Sequence, residues 1–209
     1  GCRPLLLLVI ALLAIAWANH LAAEDYEYGS AGKAENGVPV VGPGADAATR
    51  TKLPAVRRDP ISLILVDNDR RAVIANAASG SVMEVDLRTG QVYHETKVGC
   101  RLSQLVRYEG DRWFLAADEA DHAVRLLERT PEGFRVSGSI QVPHTPVGLA
   151  ADPAAGRVYV ASLWSRRLST VAVQTEGEQP SLQLTKVVDL SYAPRRMLLV
   201  EEGRRLIVA

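Results

Sequence analysis

The stretch VPHTPVGLAADPAAGRVYVASLWSRRLSTVAV, residues 142–173, contains three short apolar runs that are separated by residues typical of turns. Asp152-Pro153 and Gly156 separate the first two runs, because Asp, Pro and Gly each favour a turn conformation. Runs this short, rich in Val and bounded by turn residues, predict β-strands rather than helices. The stretch therefore predicts an antiparallel meander, and the rest of the chain decides whether that meander is repeated.

The central run of this stretch recurs along the chain. RVYVAS (Arg157–Ser162) has counterparts in RAVIAN, RWFLAA and RLIVA, which begin at residues 71, 112 and 205. Each copy begins with arginine and has alanine at its fifth position, and successive copies are 41, 45 and 48 residues apart. An apolar run and a tight turn precede each copy, and two more apolar runs follow each of the first three copies. Four short strands repeated at this spacing predict the blades of a β-propeller.

The repeat unit resembles the YVTN repeat of bacterial β-propellers, in which a Pro-x-Gly segment, an Asp-Pro turn and a Tyr-Val-x-Asn-like strand recur. Ser162 stands at the position of the usual Asn, Asn76 supplies it in the first copy, and Ala117 stands there in the second. The resemblance covers residues 60–209 and implies an all-β, WD40-like propeller of four-stranded blades. About three and a half blades of a seven-bladed propeller are expected, with the domain incomplete at its C-terminal end.

The N-terminal residues have the pattern of an export signal. Arg3 precedes the apolar stretch Leu5–Ala16, and Ala16-Trp17-Ala18 forms a small-x-small cleavage site. The apolar stretch is shorter than the roughly 20 residues that a membrane-spanning helix needs. We therefore predict a cleaved signal peptide at 1–18, a flexible linker at 19–60, the propeller at 61–209, and a periplasmic or secreted protein.

Composition excludes some classes of partner. The chain has 24 basic and 24 acidic residues, so it lacks the positive field that attracts nucleic acid. We expect no nucleic-acid partner and no membrane association beyond the export signal. Cys100 would be the one cysteine left after cleavage, and a single cysteine cannot form an internal disulfide. We predict that Cys100 is a small apolar residue in or beside a strand rather than a reactive thiol.

The resemblance also suggests a redox partner. The segments 161–173 and 189–209 are similar to exported YVTN propellers in which the blades precede a c-type cytochrome or di-haem peroxidase-like module. This implies a protein partner or redox module, with haem c bound in a C-terminal part. The Cys-x-x-Cys-His attachment motif is not found in these 209 residues, so no cofactor is predicted for this stretch itself.

Catalytic machinery is hard to find in the sequence. His94, His122 and His144 belong to different units and do not have the spacing of a local zinc site, so no catalytic or metal-binding residue is predicted. Two polar clusters follow the second strands of their units and are candidates for a binding face: Asp118, Glu119, Asp121 and His122 in one, Trp164, Arg166 and Arg167 in the other.

Three functions remain open. The simplest is an exported binding or scaffold propeller, which requires no chemistry beyond the residues already named. A propeller lactonase-like hydrolase would need His, Glu and Arg side chains that converge at the mouth of the channel. A metal-dependent oxidoreductase would need ligands from several blades. Because many unrelated functions use the propeller fold, the repeat alone does not choose among them.

Overall fold

The computed structural model of the protein describes residues 57–176 and 179–209. The predicted signal peptide and most of the predicted linker, residues 1–56, lie outside the described residues. The bounds of the strands in chain order are β1 Pro60–Val66, β2 Arg71–Asn76, β3 Ser81–Asp86, β4 Val92–Lys97, β5 Leu102–Glu109, β6 Trp113–Asp118, β7 Ala123–Thr130, β8 Gly133–Gln141, β9 Pro146–Asp152, β10 Arg157–Ser162, β11 Arg167–Gln174, β12 Ser181–Asp189, β13 Met197–Val200 and β14 Arg205–Val208. One short 3₁₀ helix, Pro153–Ala155, joins β9 to β10. None of the helices in the described part of the chain has the length and apolarity needed to cross a bilayer.

The strands form sheets in the order in which they occur along the chain. β1–β4, β5–β8 and β9–β12 each form a four-stranded antiparallel meander, and β13 pairs with β14. The predicted all-β class with four-stranded blades is confirmed. The described residues contain three four-stranded blades and a two-stranded sheet that begins a fourth.

The blades lie side by side with equivalent strands in contact. The first strands of successive blades, β1, β5, β9 and β13, touch in that order, and so do the fourth strands β4, β8 and β12. Burial follows the position of the strand in its blade. Every residue of the second strand β6 is buried, whereas most residues of the fourth strand β12 are exposed. The second strands β2, β6 and β10 are therefore the packed centres of the three four-stranded blades.

Alternate side chains of β6 pack against the two neighbouring blades, because successive residues of a strand point to opposite faces. Phe114 is fully buried against blade one and meets Phe134 edge to face, with 5.7 Å between the ring centroids. Leu115 points the other way and packs against Val158 and Val160 of blade three. Burying such a side chain contributes about 1.5–3 kcal/mol, so the two flanks of β6 hold three blades together.

The arginine-based alignment of the repeats is wrong by one residue in blade two. The last residue of each second strand pairs with the first residue of the third strand: Asn76 with Ser81, Asp118 with Ala123, and Ser162 with Arg167. Asp118, and not Ala117, therefore occupies the position of the repeat asparagine. The strand β6 begins at Trp113, so Arg112 lies in the preceding turn. The error arose because Arg71 and Arg157 are the first residues of their strands, whereas Arg112 lies one residue before the start of β6.

Polar side chains also join the blades. The Gln104 amide oxygen on β5 accepts a hydrogen bond from the Leu149 backbone N–H on β9, at 2.6 Å. Arg129 of blade two pairs with two carboxylates of blade one, at 2.7 Å from Glu84 and 2.6 Å from Asp67. Burial raises the pKa of Glu84, but hydrogen bonds from Arg129 and Arg71 outweigh that effect and hold the pKa below its ordinary value. This ion-pair network ties blade one to blade two.

The folded unit begins slightly before the predicted boundary at residue 61. The backbone oxygens of Arg58 and Asp59 accept hydrogen bonds from the N–H groups of Ala78 and Ala77, at 2.9 and 2.8 Å. Arg58 also pairs with Glu95 on β4 at 2.9 Å. The last residues of the predicted linker are therefore bound to blade one.

Candidate functional site: the link face

Both predicted polar clusters lie at the same end of the blades. We call this end the link face, and it consists of the turns between second and third strands (77–80, 119–122 and 163–166) and the connections between blades (98–101, 142–145 and 190–196). Backbone hydrogen bonds join these segments in sequence. The Glu119 N–H donates to the Arg101 oxygen at 2.8 Å, and the Leu190 N–H donates to the Arg166 oxygen at 2.7 Å. The link face is therefore one continuous surface built from several blades.

Asp118 lies inside this surface rather than on it. Its side chain is 0% exposed, and it accepts backbone hydrogen bonds from Cys100, Arg101 and Asp121 at 2.8, 3.1 and 3.2 Å. The Arg125 guanidinium adds two more, at 3.0 and 3.1 Å. All the acceptor capacity of the carboxylate is used in fixing the loop before β5 and the turn after β6. Asp118 is a structural residue of the link face.

The electrostatics of Asp118 follow from these partners. Burial raises the pKa of its carboxyl group, since a low-dielectric surrounding disfavours charge. The hydrogen bonds from three backbone N–H groups and from Arg125 outweigh burial and lower the pKa below its ordinary value. Asp118 is therefore ionised at neutral pH, and its charge is balanced by Arg125.

Asp121 and Cys100 lie beside Asp118. Cys100, Asp118 and Asp121 have potential ligand atoms within 4.8 Å of one another, and among the described residues they are the group that could hold a metal ion. Arg125 is paired with both carboxylates, so a positive charge already occupies the position that a cation would need. The arrangement therefore favours a structural ion pair over metal binding.

Cys100 differs in part from the sequence prediction. It lies beside β5 as predicted, but it is exposed rather than packed as an apolar residue, because the connection from β4 to β5 runs over the surface. A hydrogen bond to the Asp121 carboxylate raises the pKa of the thiol, and the negative charge of Asp121 adds to the effect. A thiol with a raised pKa is a poor nucleophile at neutral pH, since the thiolate is the reactive form.

His122 and His144 come together although 21 residues separate them in the sequence. Their ring centroids are 4.3 Å apart, and the Thr145 N–H donates to Nδ1 of His122 at 3.2 Å. Since Nδ1 accepts this bond, the other ring nitrogen carries the proton in the neutral form and does not offer a lone pair to a metal. Sequence spacing could not reveal this pair, because it forms between a turn of blade two and the connection to blade three.

Trp164, Arg166 and Arg167 belong to the turn and strand that follow β10. The Trp164 side chain is 74% exposed, and Arg166 is also exposed. Arg167 begins β11 and pairs with Asp189 of the same blade at 2.9 Å. Trp164 and Arg166 are thus available at the surface, whereas Arg167 takes part in an ion pair within its own sheet.

The final residue of each of these turns has a left-handed backbone. Gly80, His122 and Arg166 are equivalent, with φ of 63°, 52° and 51°. Glycine adopts this conformation without steric cost, but it is unfavourable for a residue with a Cβ atom. Blades two and three therefore have a large polar side chain, His122 or Arg166, at a position where the backbone conformation favours glycine.

Comparison with known proteins addresses the fold. No protein-family model and no curated protein sequence matches the chain. Among solved structures, hydrazine synthase from Kuenenia stuttgartiensis matches with a TM-score of 0.61 and 18% identity over 79% of this chain and 45% of that one. The Cps50 (Swd1) β-propeller domain from Myceliophteria thermophila matches with a TM-score of 0.59 and 12% identity, over 71% and 49%. The chain has a β-propeller fold.

A third structure extends the same result. A putative 6-phosphogluconolactonase from Bacteroides uniformis matches with a TM-score of 0.63 and 9% identity, over 72% of this chain and 47% of that one. The chain thus spans about half the length of the solved propellers that it matches. At these identities the likeness establishes architecture and not chemistry.

Proposed function

We propose that the protein is an exported, non-catalytic β-propeller that binds a protein partner through its link face. The observation that carries this proposal is the exposure of Trp164, which leaves a large aromatic side chain in solvent on an ordered turn. The turn is fixed by hydrogen bonds from the Leu163 N–H to Thr145 at 2.8 Å and from the Arg166 N–H to Leu163 at 3.2 Å. Exposed aromatic side chains on rigid supports are typical anchors of protein interfaces.

The candidate residues have different roles in this proposal. Asp118 supports the surface from within, and Arg167 is paired with Asp189 of its own blade. Trp164 and Arg166 contact the partner. Glu119, Asp121 and His122 line the neighbouring part of the same surface, where Glu119 lies 3.5 Å from Arg101.

The partner that the family resemblance implies is a redox module. We propose that a c-type cytochrome or di-haem peroxidase-like unit, in the same polypeptide or in a second protein, binds the propeller after export to the periplasm or outside the cell. In this arrangement the propeller supplies a rigid platform, and the haem remains with the partner. Export is proposed from the apolar stretch and cleavage site at 1–18.

Isolation of the full-length protein from the exported fraction of its source cells tests this function. We expect a mature N-terminus directly after Ala18 and covalently bound haem either in the polypeptide or in a protein that copurifies with it. A protein retained in the cytosol, or an exported protein without haem in either component, would contradict the redox-coupled proposal.

The same preparation should not hydrolyse lactones. Hydrolysis that disappears in His122→Ala but not in Arg88→Ala would instead support the lactonase-like alternative.

A further inference from the structure

Four exposed residues form what we call the cationic patch: Trp164, Arg166, Arg195 and Arg196. Trp164 and Arg166 lie on the turn between β10 and β11, and the two other arginines lie on the connection from β12 to β13. The hydrogen bond from the Leu190 N–H to the Arg166 oxygen, 2.7 Å long, joins this turn to the first residue of that connection. The patch thus combines one large aromatic side chain with three guanidinium groups on adjoining segments.

The charges of the patch are not balanced by neighbouring carboxylates. Two acidic groups of the link face already have partners, since Glu119 pairs with Arg101 and Asp121 with Arg125. Asp189, at the end of β12 beside the link face, pairs with Arg167. Within residues 57–176 and 179–209, by contrast, Arg166, Arg195 and Arg196 form no ion pair. The whole chain has no net charge, with 24 basic and 24 acidic residues. The positive charge of the patch therefore results from where these arginines lie and not from an excess of basic residues in the chain.

The backbone at Arg166 gives a second, independent indication. Arg166 has a φ of 51° at a position where blade one has Gly80 with a φ of 63°. A left-handed conformation is unfavourable for arginine, and the exposed side chain gains no ion pair from the described residues in return. Residues held in strained backbone conformations cluster at active sites, ligand clamps and switch regions.

We propose that the cationic patch binds an extended, acidic peptide segment of the partner protein. Planar guanidinium groups pair with carboxylates through two parallel hydrogen bonds, and Trp and Arg are enriched among the residues that dominate interface energetics. A nucleic acid fits less well, because its affinity depends on many phosphate contacts and the chain as a whole is neutral. This inference rests on the proposed function, since it names the chemistry of the partner that the link face binds.

Fluorescence anisotropy with a fluorescein-labelled oligoglutamate peptide tests the inference on the full-length protein. We expect Arg166→Gly to weaken binding about threefold and Trp164→Ala to weaken it about tenfold. Arg166→Gly also suits the backbone at that position, so a loss of binding will not result from unfolding. The matched control is Arg88→Gly, which removes an exposed arginine from the β3–β4 turn at the opposite end of the blades and should leave binding unchanged.

Three results would overturn the inference. The first is no binding of oligoglutamate by the wild-type protein, and the second is equal binding by Arg166→Gly, Trp164→Ala and wild type. The third is preferential binding of labelled single-stranded DNA or of phosphatidylglycerol vesicles, which would assign the patch to another class of partner. If a photo-crosslinker at position 164 still captures a haem protein while oligoglutamate does not bind, the acidic-peptide inference fails and the scaffold function stands. If the protein binds oligoglutamate but the photo-crosslinker at position 164 captures no protein, the scaffold function is contradicted instead.

Discussion

Replacing Asp118 with alanine tests how the link face is built. The substitution removes a carboxylate that is 0% exposed and accepts hydrogen bonds from three backbone N–H groups and from Arg125. Arg125, with 18% of its side chain exposed, would keep only its pairing with Asp121, and the N–H groups of Cys100 and Arg101 would lose their acceptor. Breaking a buried ion pair by removing one partner costs about 3–5 kcal/mol. We therefore expect Asp118→Ala to lower the free energy of unfolding by about that amount.

The loss should depend on pH. The pKa of Asp118 is lowered by its hydrogen bonds in the folded protein, whereas an unfolded aspartate titrates near about 3.9. A carboxylate with a lowered pKa contributes stability that is fully present above the unfolded pKa and is lost as the pH falls through the folded pKa. The difference between wild type and Asp118→Ala should thus be largest at neutral pH and shrink as the solution becomes acidic below about pH 4.

Urea unfolding followed by circular dichroism, at neutral pH and at several acidic values, measures both effects. The control is Asp86→Ala, which removes an exposed carboxylate that caps the β3–β4 turn by accepting the Arg88 and Thr89 N–H groups. We expect a smaller loss for the control, because water replaces the carboxylate at an exposed site. A loss at Asp118 below about 1 kcal/mol, or a loss that does not change with pH, would refute the structural role given to this residue.

Three further predictions concern the same surface. Gly80→Ala should destabilise the protein by about 2–5 kcal/mol in urea unfolding, because φ is 63° and the new Cβ would lie 2.2 Å from the Gly99 oxygen; wild-type stability would contradict the turn geometry. Arg166→Gly should stabilise the protein by about 0.5–1 kcal/mol in the same assay, since glycine relieves the left-handed strain, and a loss would show that the arginine side chain supports the fold. Asp121→Asn should speed alkylation of Cys100 at neutral pH, as followed by peptide mass spectrometry, because the Asp121 carboxylate raises the pKa of the thiol; an unchanged rate would contradict that interaction.

The repeat was the part of the fold that the sequence could predict. Short apolar runs at a regular spacing determine four-stranded blades, because each strand must bury one or both faces and the turns between strands are local. The total of seven blades is still a prediction. Alignment by arginine failed at blade two, since Arg112 is exposed in a turn and only the pairing of strands identifies Asp118 as the equivalent of Asn76.

The candidate site was less predictable, because it depends on contacts between blades. The sequence selected the right turns, but it could not separate buried Asp118 from exposed Trp164, since both belong to polar clusters and lie at or just after the end of a second strand. His122 and His144 also meet only because the fold brings distant segments together. The same is true of the position of Arg166, which lies away from any pairing carboxylate among the described residues. A signal was nevertheless present in the sequence: an arginine stands at a turn position where the first blade has glycine.

Site-specific photo-crosslinking tests whether the link face is the surface that binds a partner. Benzoylphenylalanine would replace Trp164 in the full-length protein in its source cells, and Arg88 at the opposite end of the blades would be replaced in a parallel strain. We expect a discrete crosslinked protein from position 164 and none from position 88. No crosslink at position 164, or the same products from both positions, would contradict it.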